Sequence, residues 1–205
     1  MYSLLVLGGY CPGFFPMDIK KYNRIIAADS GYDNAKALSI EPNFVVGDFD
    51  STNHKEELVA MGFKKMPRDK DETDAELALI ECRKETPSYD ILGGGEGRLD
   101  HTLSILSLFL KYDYPRYWFS RADTFITIKN KIRFTLPIGT ELSFFSIERA
   151  FVTTTGLVWD INERKLDMEF LSLSNRVKDE EVSIECTSPI LLRINPESFS
   201  SLRIL

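Results

Sequence analysis

The rhythm of the chain changes near residue 122, and that change constrains the fold more than any single motif. Before it, short apolar runs at 2–7, 24–28, 44–46, 89–92 and 116–119 alternate with stretches of helical character at roughly 31–38, 53–61, 73–84 and 99–111. Strand–helix alternation of this kind predicts a parallel sheet with crossover helices. After it, helices vanish. Runs at 125–128, 132–136, 142–145, 150–154, 165–170, 182–186 and 191–194 are short, β-rich and separated by turn residues, which predicts a small antiparallel sandwich or barrel. The expected fold class is an α/β N-terminal domain with a mostly parallel sheet over 1–122. A small all-β antiparallel domain, sandwich or barrel, follows over 123–205. No internal repeat or low-complexity tract interrupts the pattern.

Composition narrows the function classes. A chain of 205 residues with 43 % hydrophobic content can bury one sizeable core or two small ones. Its formal charge of -6 argues against nucleic-acid or anionic-membrane binding, which wants a basic surface. A phosphorylated small substrate stays compatible, because a bound cation can invert the local sign of charge. Cys11, Cys82 and Cys186 are odd in number and far apart, so they read as small buried thiols rather than a disulfide or metal framework. The apolar run from Leu4 to Leu7 is too short for a signal or membrane segment. The expectation is a soluble, cytoplasmic protein.

Three motifs carry chemistry. At residues 45–51 the sequence reads Val-Val-Gly-Asp-Phe-Asp-Ser. If Val45 and Val46 end a buried strand, Asp48 and Asp50 project from the following loop, where open α/β sheets bind ligands. Two such carboxylates repel unless a cation lies between them, and magnesium or calcium is the usual solution. The second motif is Lys70-Asp71-Glu72-Thr73-Asp74. Thr73 and Glu76 form a capping box, placing Asp74 in the first turn of a helix whose apolar stripe is Ala75, Ala78, Leu79 and Cys82. Asp74 could serve the helix dipole alone, but beside Asp48 and Asp50 the metal reading prevails. The third, Gly93-Gly94-Gly95-Glu96-Gly97-Arg98-Leu99-Asp100-His101, links a strand to a helix start that carries Leu103, Leu106 and Leu110 along one face. Converging N–H groups there suit an anion, and Arg98 suits phosphate through its planar fork. The same glycines also suit a plain tight turn. His101 reads as a helix-packing or capping residue. Asp29-Ser30-Gly31 adds another strand-end carboxylate, which could equally be a helix cap. Together these elements suggest a metal–polyphosphate site.

In this order and spacing the elements resemble those of thiamine pyrophosphokinases, with Ser174-Asn175 as a later match and the resemblance covering nearly the whole chain. The family resemblance implies an α/β catalytic domain followed by a β-rich thiamine-binding and dimerisation domain. It also implies a homodimer that moves the terminal pyrophosphoryl group of ATP onto the hydroxyethyl group of thiamine, giving thiamine diphosphate and AMP. Carried over by residue, Asp48, Asp50 and Asp74 bind magnesium (Mg2+), with Asp29 near the same site. Asp29, Ser30, Gly31, Gly94, Gly95 and Arg98 meet ATP and its phosphates. Asp100 orients thiamine or helps deprotonate its hydroxyl. Thr155-Gly156-Leu157-Val158-Trp159 and Ser174-Asn175 resemble elements that hold thiamine; Trp159 could instead be a core anchor, but a cationic thiazolium and a flat pyrimidine both suit its aromatic face. The run Leu171-Ser172-Leu173 before the Ser-Asn pair departs from the glycine-containing run often found in bacterial members. The resemblance further implies that thiamine lies between the catalytic lobe of one subunit and the β lobe of the other.

The expected mechanism is metal-dependent in-line attack, with positioning and electrostatics dominating. Two other classes are weighed against it. A non-catalytic sensor of nucleotide or thiamine diphosphate would have little need for every acidic element. A metal-dependent nucleotide or diphosphate hydrolase would show no vitamin pocket.

Overall fold

The computed structural model describes residues 2–63, 65–66 and 71–205. Lys70, which opens the second acidic motif, lies outside them. Two compact units span 1–121 and 122–205.

The first unit runs β1 (Tyr2–Val6), β2 (Tyr22–Ala28), α1 (Gly31–Ala37), β3 (Phe44–Val46), α2 (Lys55–Ala60), α3 (Asp74–Cys82), β4 (Tyr89–Leu92), α4 (Leu99–Tyr112) and β5 (Tyr117–Phe119). A 3-10 turn at Ile19–Lys21 precedes β2. Its strands lie in the order β5-β4-β1-β2-β3, and each of the four neighbouring pairs is parallel. The chain therefore builds outward from β1 on one side, then returns to build β4 and β5 on the other. This reversal between β1 and β4 is where ligands collect in open α/β sheets.

Burial on both faces accounts for the near-continuous apolar strands. Leu4, Leu5, Val6, Ile26, Ala27 and Leu92 are fully buried, as are Ala78 and Leu79 of α3, which packs on β1 and β2, and Phe109 of α4, whose ring meets Trp118 of β5 edge-on. Buried polar groups interrupt this pattern at Ser3, Arg24 and Asp90. Asp90 of β4 is fully buried, accepts from Tyr22 Oη, and is gripped by Arg116 through Nε (3.1 Å) and Nη2 (2.6 Å).

Helix α4 departs from the simplest reading of its pattern. Leu103 and Leu110, with Leu99, are exposed, while Ile105, Leu108 and Phe109 form the buried face. Both faces are apolar, so periodicity alone did not say which packs inward. Among the cysteines, Cys82 and Cys186 are buried, but Cys11 is only half-buried in the loop after β1.

The second unit contains β6 (Thr124–Ile128), β7 (Lys131–Thr135), β8 (Glu141–Phe145), β9 (Ala150–Thr155), β10 (Arg164–Leu166), β11 (Ser172–Arg176), β12 (Val182–Cys186), β13 (Ile190–Ile194), the one-turn α5 (Pro196–Phe199) and β14 (Arg203–Ile204). Helical structure thus returns once after residue 122, started by Pro196 at the first helical position. Strands β11-β8-β13-β6 pair antiparallel, as do β10-β9-β12-β7-β14. Alternate burial along β6, β9 and β12 gives each a single apolar face.

The single strand expected at 165–170 is instead β10 followed by a tight turn. Asp167 Oδ1 accepts from Glu169 N at 2.9 Å there, and Asp167 pairs with Phe170 across the turn. The next strand, β11, was not foreseen because Ser-Leu-Ser-Asn-Arg has weak strand character. Its register shifts between Ser172 and Asn175, where Ser174 adopts φ 53°. No helix among the described residues is long and apolar enough to cross a membrane.

Candidate active site

The loops that follow β1, β2, β3 and β4 surround a cleft of about 930 Å3 in the first unit. It is lined by Asp29, Ser30, Asp48, Asp50, Asp74, Gly94, Gly95, Arg98 and Asp100, all of them residues singled out by sequence.

Carboxylate oxygens of Asp29, Asp48 and Asp50 lie within 4.8 Å of one another. Asp29 and Asp48 are buried, 9 % and 8 % exposed, whereas Asp50 opens to solvent. Two local devices set this geometry. Asp29 leaves β2 in the left-handed region (φ 46°), a conformation that Asp tolerates through its short polar side chain. Gly47 lets the β3 loop approach it, since a Cβ at that position would fall 2.9 Å from Asp29 Cβ. The intervening Phe49 is also left-handed (φ 57°) although its ring is fully buried. Such strain in a bulky residue persists only where the surroundings enforce it. Asp48 Oδ1 then accepts from Asp50 N at 3.1 Å, closing a tight acidic turn.

The electrostatics of this corner suit a cation. Burial pushes the Asp29 carboxyl above its usual range, and the charges of Asp74 and Asp48 push it further. Contacts with Ser51 and the Ser30 amide oppose that shift. Asp29 Oδ1 is buried without a hydrogen-bond partner among the described residues. An orphaned carboxylate oxygen facing two more carboxylates suits a hard divalent cation with oxygen ligands. Asp29 therefore stands inside the tight cluster. Asp74 lines the cleft beside it at the first turn of α3, where Thr73 Oγ1 accepts from Glu76 N at 3.1 Å. The expected reciprocal half of that box is diverted, because the Glu76 carboxylate accepts from Lys111 and from Tyr112 Oη (2.6 Å) on α4.

On the β4 side, Gly95 (φ 87°) packs so closely on Trp118 that a Cβ would come within 2.4 Å of the ring. Thr102 Oγ1 donates to the Gly95 carbonyl, fixing this turn against α4. Arg98 and Asp100 are exposed and paired with each other, Nε to Oδ1 at 3.1 Å and Nη2 to Oδ2 at 2.5 Å. Arg98 holds the Asp100 carboxyl below the usual carboxylate range. Gly31 serves packing rather than lining: a Cβ there would sit 2.2 Å from the Val6 carbonyl, so glycine lets α1 lie against β1. The sequence reading missed Gly8, Gly9 and Tyr10, which line the cleft after β1; Ser51, Glu72 and Glu96 lay within its motifs without an assigned role and also line the cleft. The strand-end rule applied to β1 would have found the first three. His101, read as a helix-packing or capping residue, also lies on the cleft wall.

In the second unit, Trp159 is 58 % exposed, so it is not a core anchor of that unit. Its loop is rigidly held. Asn175, 1 % exposed, accepts from Trp159 N at 3.2 Å and donates to Trp159 O at 2.8 Å. Asp160 Oδ1 accepts from Thr154 Oγ1 and Leu157 N, both at 3.1 Å. Asn175 thus grips the backbone that presents Trp159, and Ser174 stands exposed beside it.

Residues 16–118 match the family described as thiamin pyrophosphokinase, catalytic domain, and residues 127–191 match the thiamin pyrophosphokinase vitamin B1 binding domain. The chain is 28 % identical over 236 residues to thiamine pyrophosphokinase 1 of Arabidopsis thaliana, covering 95 % of this chain and 86 % of that protein. Against thiamin pyrophosphokinase 1 of Caenorhabditis elegans the identity is 24 % over 180 residues, covering 77 % and 72 %. Among solved structures, a thiamin pyrophosphokinase family protein from Enterococcus faecalis superposes with a TM-score of 0.77. Its identity is 20 %, and the match covers 95 % of this chain and 99 % of that one. Thiamin pyrophosphokinase from Candida albicans gives 0.68 at 17 % identity, covering 95 % and 88 %. At such identities the structural likeness speaks for the fold alone.

Proposed function

The chain belongs to the thiamin pyrophosphokinase family, and from that premise we propose that it transfers the terminal pyrophosphoryl group of ATP to the hydroxyethyl oxygen of thiamine, giving thiamine diphosphate and AMP. One observation carries the reading at the level of chemistry: three carboxylates converge on a buried corner of the same cleft that holds a glycine turn and an arginine fork. That combination suits a cation-bound polyphosphate.

Asp29, Asp48 and Asp50, with Asp74 beside them, would hold magnesium, which would supply positive charge to offset that of the phosphates. The residues of the chain act by placement. The Gly94–Gly95 turn offers backbone N–H groups to the phosphates, and Arg98 turns its fork from Asp100 to a phosphate edge. Asp100, released from Arg98, accepts the hydrogen bond of the thiamine hydroxyl and aims its oxygen at the β-phosphorus. An ionised carboxylate at this position is better suited to orienting the hydroxyl than to strong basicity. A bond forms from that oxygen to the β-phosphorus as the α,β-bridging bond breaks. AMP leaves, and the hydroxyl proton passes toward Asp100 and solvent. Trp159 offers an aromatic face to the cationic thiazolium or the flat pyrimidine, and Ser174 a hydroxyl beside it. The protein is proposed to act as a cytoplasmic homodimer.

Incubation with magnesium and ATP, with and without thiamine, tests the reading. AMP appearing only when thiamine is present is the expected result. AMP or ADP without thiamine would indicate hydrolysis, and absence of turnover a sensor.

A further inference from the structure

Two consecutive side chains on α1 tie together two walls of the cleft without lining it. Asp33 accepts three hydrogen bonds from the tail of the acidic loop: from Thr52 Oγ1, from Asn53 N at 3.1 Å and from Asn53 Nδ2 at 2.8 Å. Thr52 Oγ1 also accepts from His54 N at 3.1 Å, so the loop tail is braced from both sides. The next residue, Asn34, donates through Nδ2 to Leu7 O at 2.7 Å and Gly9 O at 3.1 Å. These carbonyls belong to the segment after β1 that carries the cleft-lining Gly8, Gly9 and Tyr10. The helix offering both arms is itself fixed, because Gly31 seats it directly on the β1 backbone.

We propose that Asp33 and Asn34 are positioning residues that form a two-armed clamp. The Asp33 arm holds Asp48 and Asp50 in register with Asp29 for the cation, and the Asn34 arm holds the β1 loop as a wall for the nucleotide. The physical need is clear on the acidic side. Asp48 and Asp50 face Asp29 across a few ångströms, and the loop bearing them contains a left-handed, bulky Phe49. Without a cation, repulsion and backbone strain both drive that loop outward. Three hydrogen bonds to one carboxylate, anchored on a helix, oppose that movement. The cation arm rests on the carboxylate cluster, and the nucleotide arm rests on the proposed function.

Titration of the metal-free protein with Mn2+, followed by electron paramagnetic resonance, tests the first arm without turnover. Asp33→Ala is expected to weaken Mn2+ binding by up to about tenfold, the low end for loss of a direct outer partner of a metal ligand, because Asp33 acts one step further out through Thr52 and Asn53, while Asn34→Ala leaves it unchanged. Binding of a non-transferable ATP analogue, α,β-methylene-ATP, should show the converse, weakened by Asn34→Ala. Thr52→Val deletes only one hydroxyl and should give a smaller Mn2+ effect of the same sign, including where Asp33→Ala fails to fold. Equal losses of both ligands in both variants would reduce the clamp to general stabilisation and overturn it. So would Mn2+ binding that is lost in Asp50→Asn yet untouched by Asp33→Ala and Thr52→Val, which leaves the cluster standing. Absence of Mn2+ binding by the unmodified chain would overturn the cluster and its clamp together. Mn2+ binding with the expected clamp effects but no pyrophosphoryl transfer would support the cation arm and refute the proposed activity.

Discussion

Asp29→Asn should stabilise the metal-free protein while abolishing its response to magnesium. The backbone at this position is left-handed, φ 46°, and Asn accepts that conformation as readily as Asp, so the exchange adds no strain. The carboxylate it replaces is buried, has one unpartnered oxygen, and faces Asp48 and Asp50. Its carboxyl lies above the usual range mainly through burial, which means that folding disfavours the ionised form. In the metal-free chain, stability from this group is therefore full at low pH. It is lost as pH rises from the ordinary carboxylate value through the raised folded value. Asn removes that loss and offers an amide donor to the neighbouring carboxylates. Hydrogen bonds to charged groups contribute about 1.5–3 kcal/mol, and we take roughly 1–2 kcal/mol as the net after imperfect geometry. At about 2–4 °C per kcal/mol for a chain of this size, the apo Tm at pH 7.5 should rise by about 2–8 °C. Differential scanning calorimetry with EDTA, then with magnesium, reads both effects. Magnesium should raise the Tm of the unmodified chain and leave that of the variant unchanged. A lower apo Tm in the variant, or equal stabilisation of both proteins by magnesium, would refute the argument.

Arg98→Lys keeps the charge but loses the planar fork, so the KM for ATP should rise more than that for thiamine in steady-state assays; unchanged values for both would remove Arg98 from the site. Arg116→Met leaves the fully buried Asp90 without its cation, and a cost of about 3–5 kcal/mol is expected in urea unfolding, while the Mn2+ affinity of material still folded should be unaltered. Trp159→Ala should raise the KM for thiamine with little change for ATP, because the ring is exposed on a loop whose backbone Asn175 already holds. Verified heterodimers of an Asp50→Asn chain and a Trp159→Ala chain should recover part of the activity lost in each parent; no recovery would place every site within one subunit.

Much of the candidate site was legible because its signals are local. Val45 and Val46 ending a strand, Gly47 permitting a turn, and Asp48 and Asp50 after it lie within six residues, so pattern alone put two carboxylates on a strand-end loop. Thr73 capping α3 was equally local, and its hydroxyl accepts from Glu76 N as expected. Where the reading faltered, the deciding contact was distant. Glu76 looked committed to its own helix end but meets Lys111 and Tyr112 on α4. Leu103 and Leu110 looked like a packing face until Ile105, Leu108 and Phe109 took that place. Strand β11 was obscured because its polar sequence pairs with β8 through a register shift that no short-range pattern encodes.

The sequence by itself determined the strand–helix alternation of the first unit, the β-rich character of the second, and the residue types able to hold a cation and polyphosphate. These follow from periodicity, turn chemistry and charge, which act over a few residues. Only the tertiary structure decided which carboxylates share one corner. Asp29 joins Asp48 and Asp50 because β2 and β3 are parallel neighbours whose ends come level, with Asp29 N donating to Val46 O at 2.8 Å. Only the fold, likewise, set Asp33 and Asn34 as arms reaching two loops, since their partners lie about twenty to twenty-seven residues away along the chain. Long-range pairing fixes such distances, and local pattern carries no information about them.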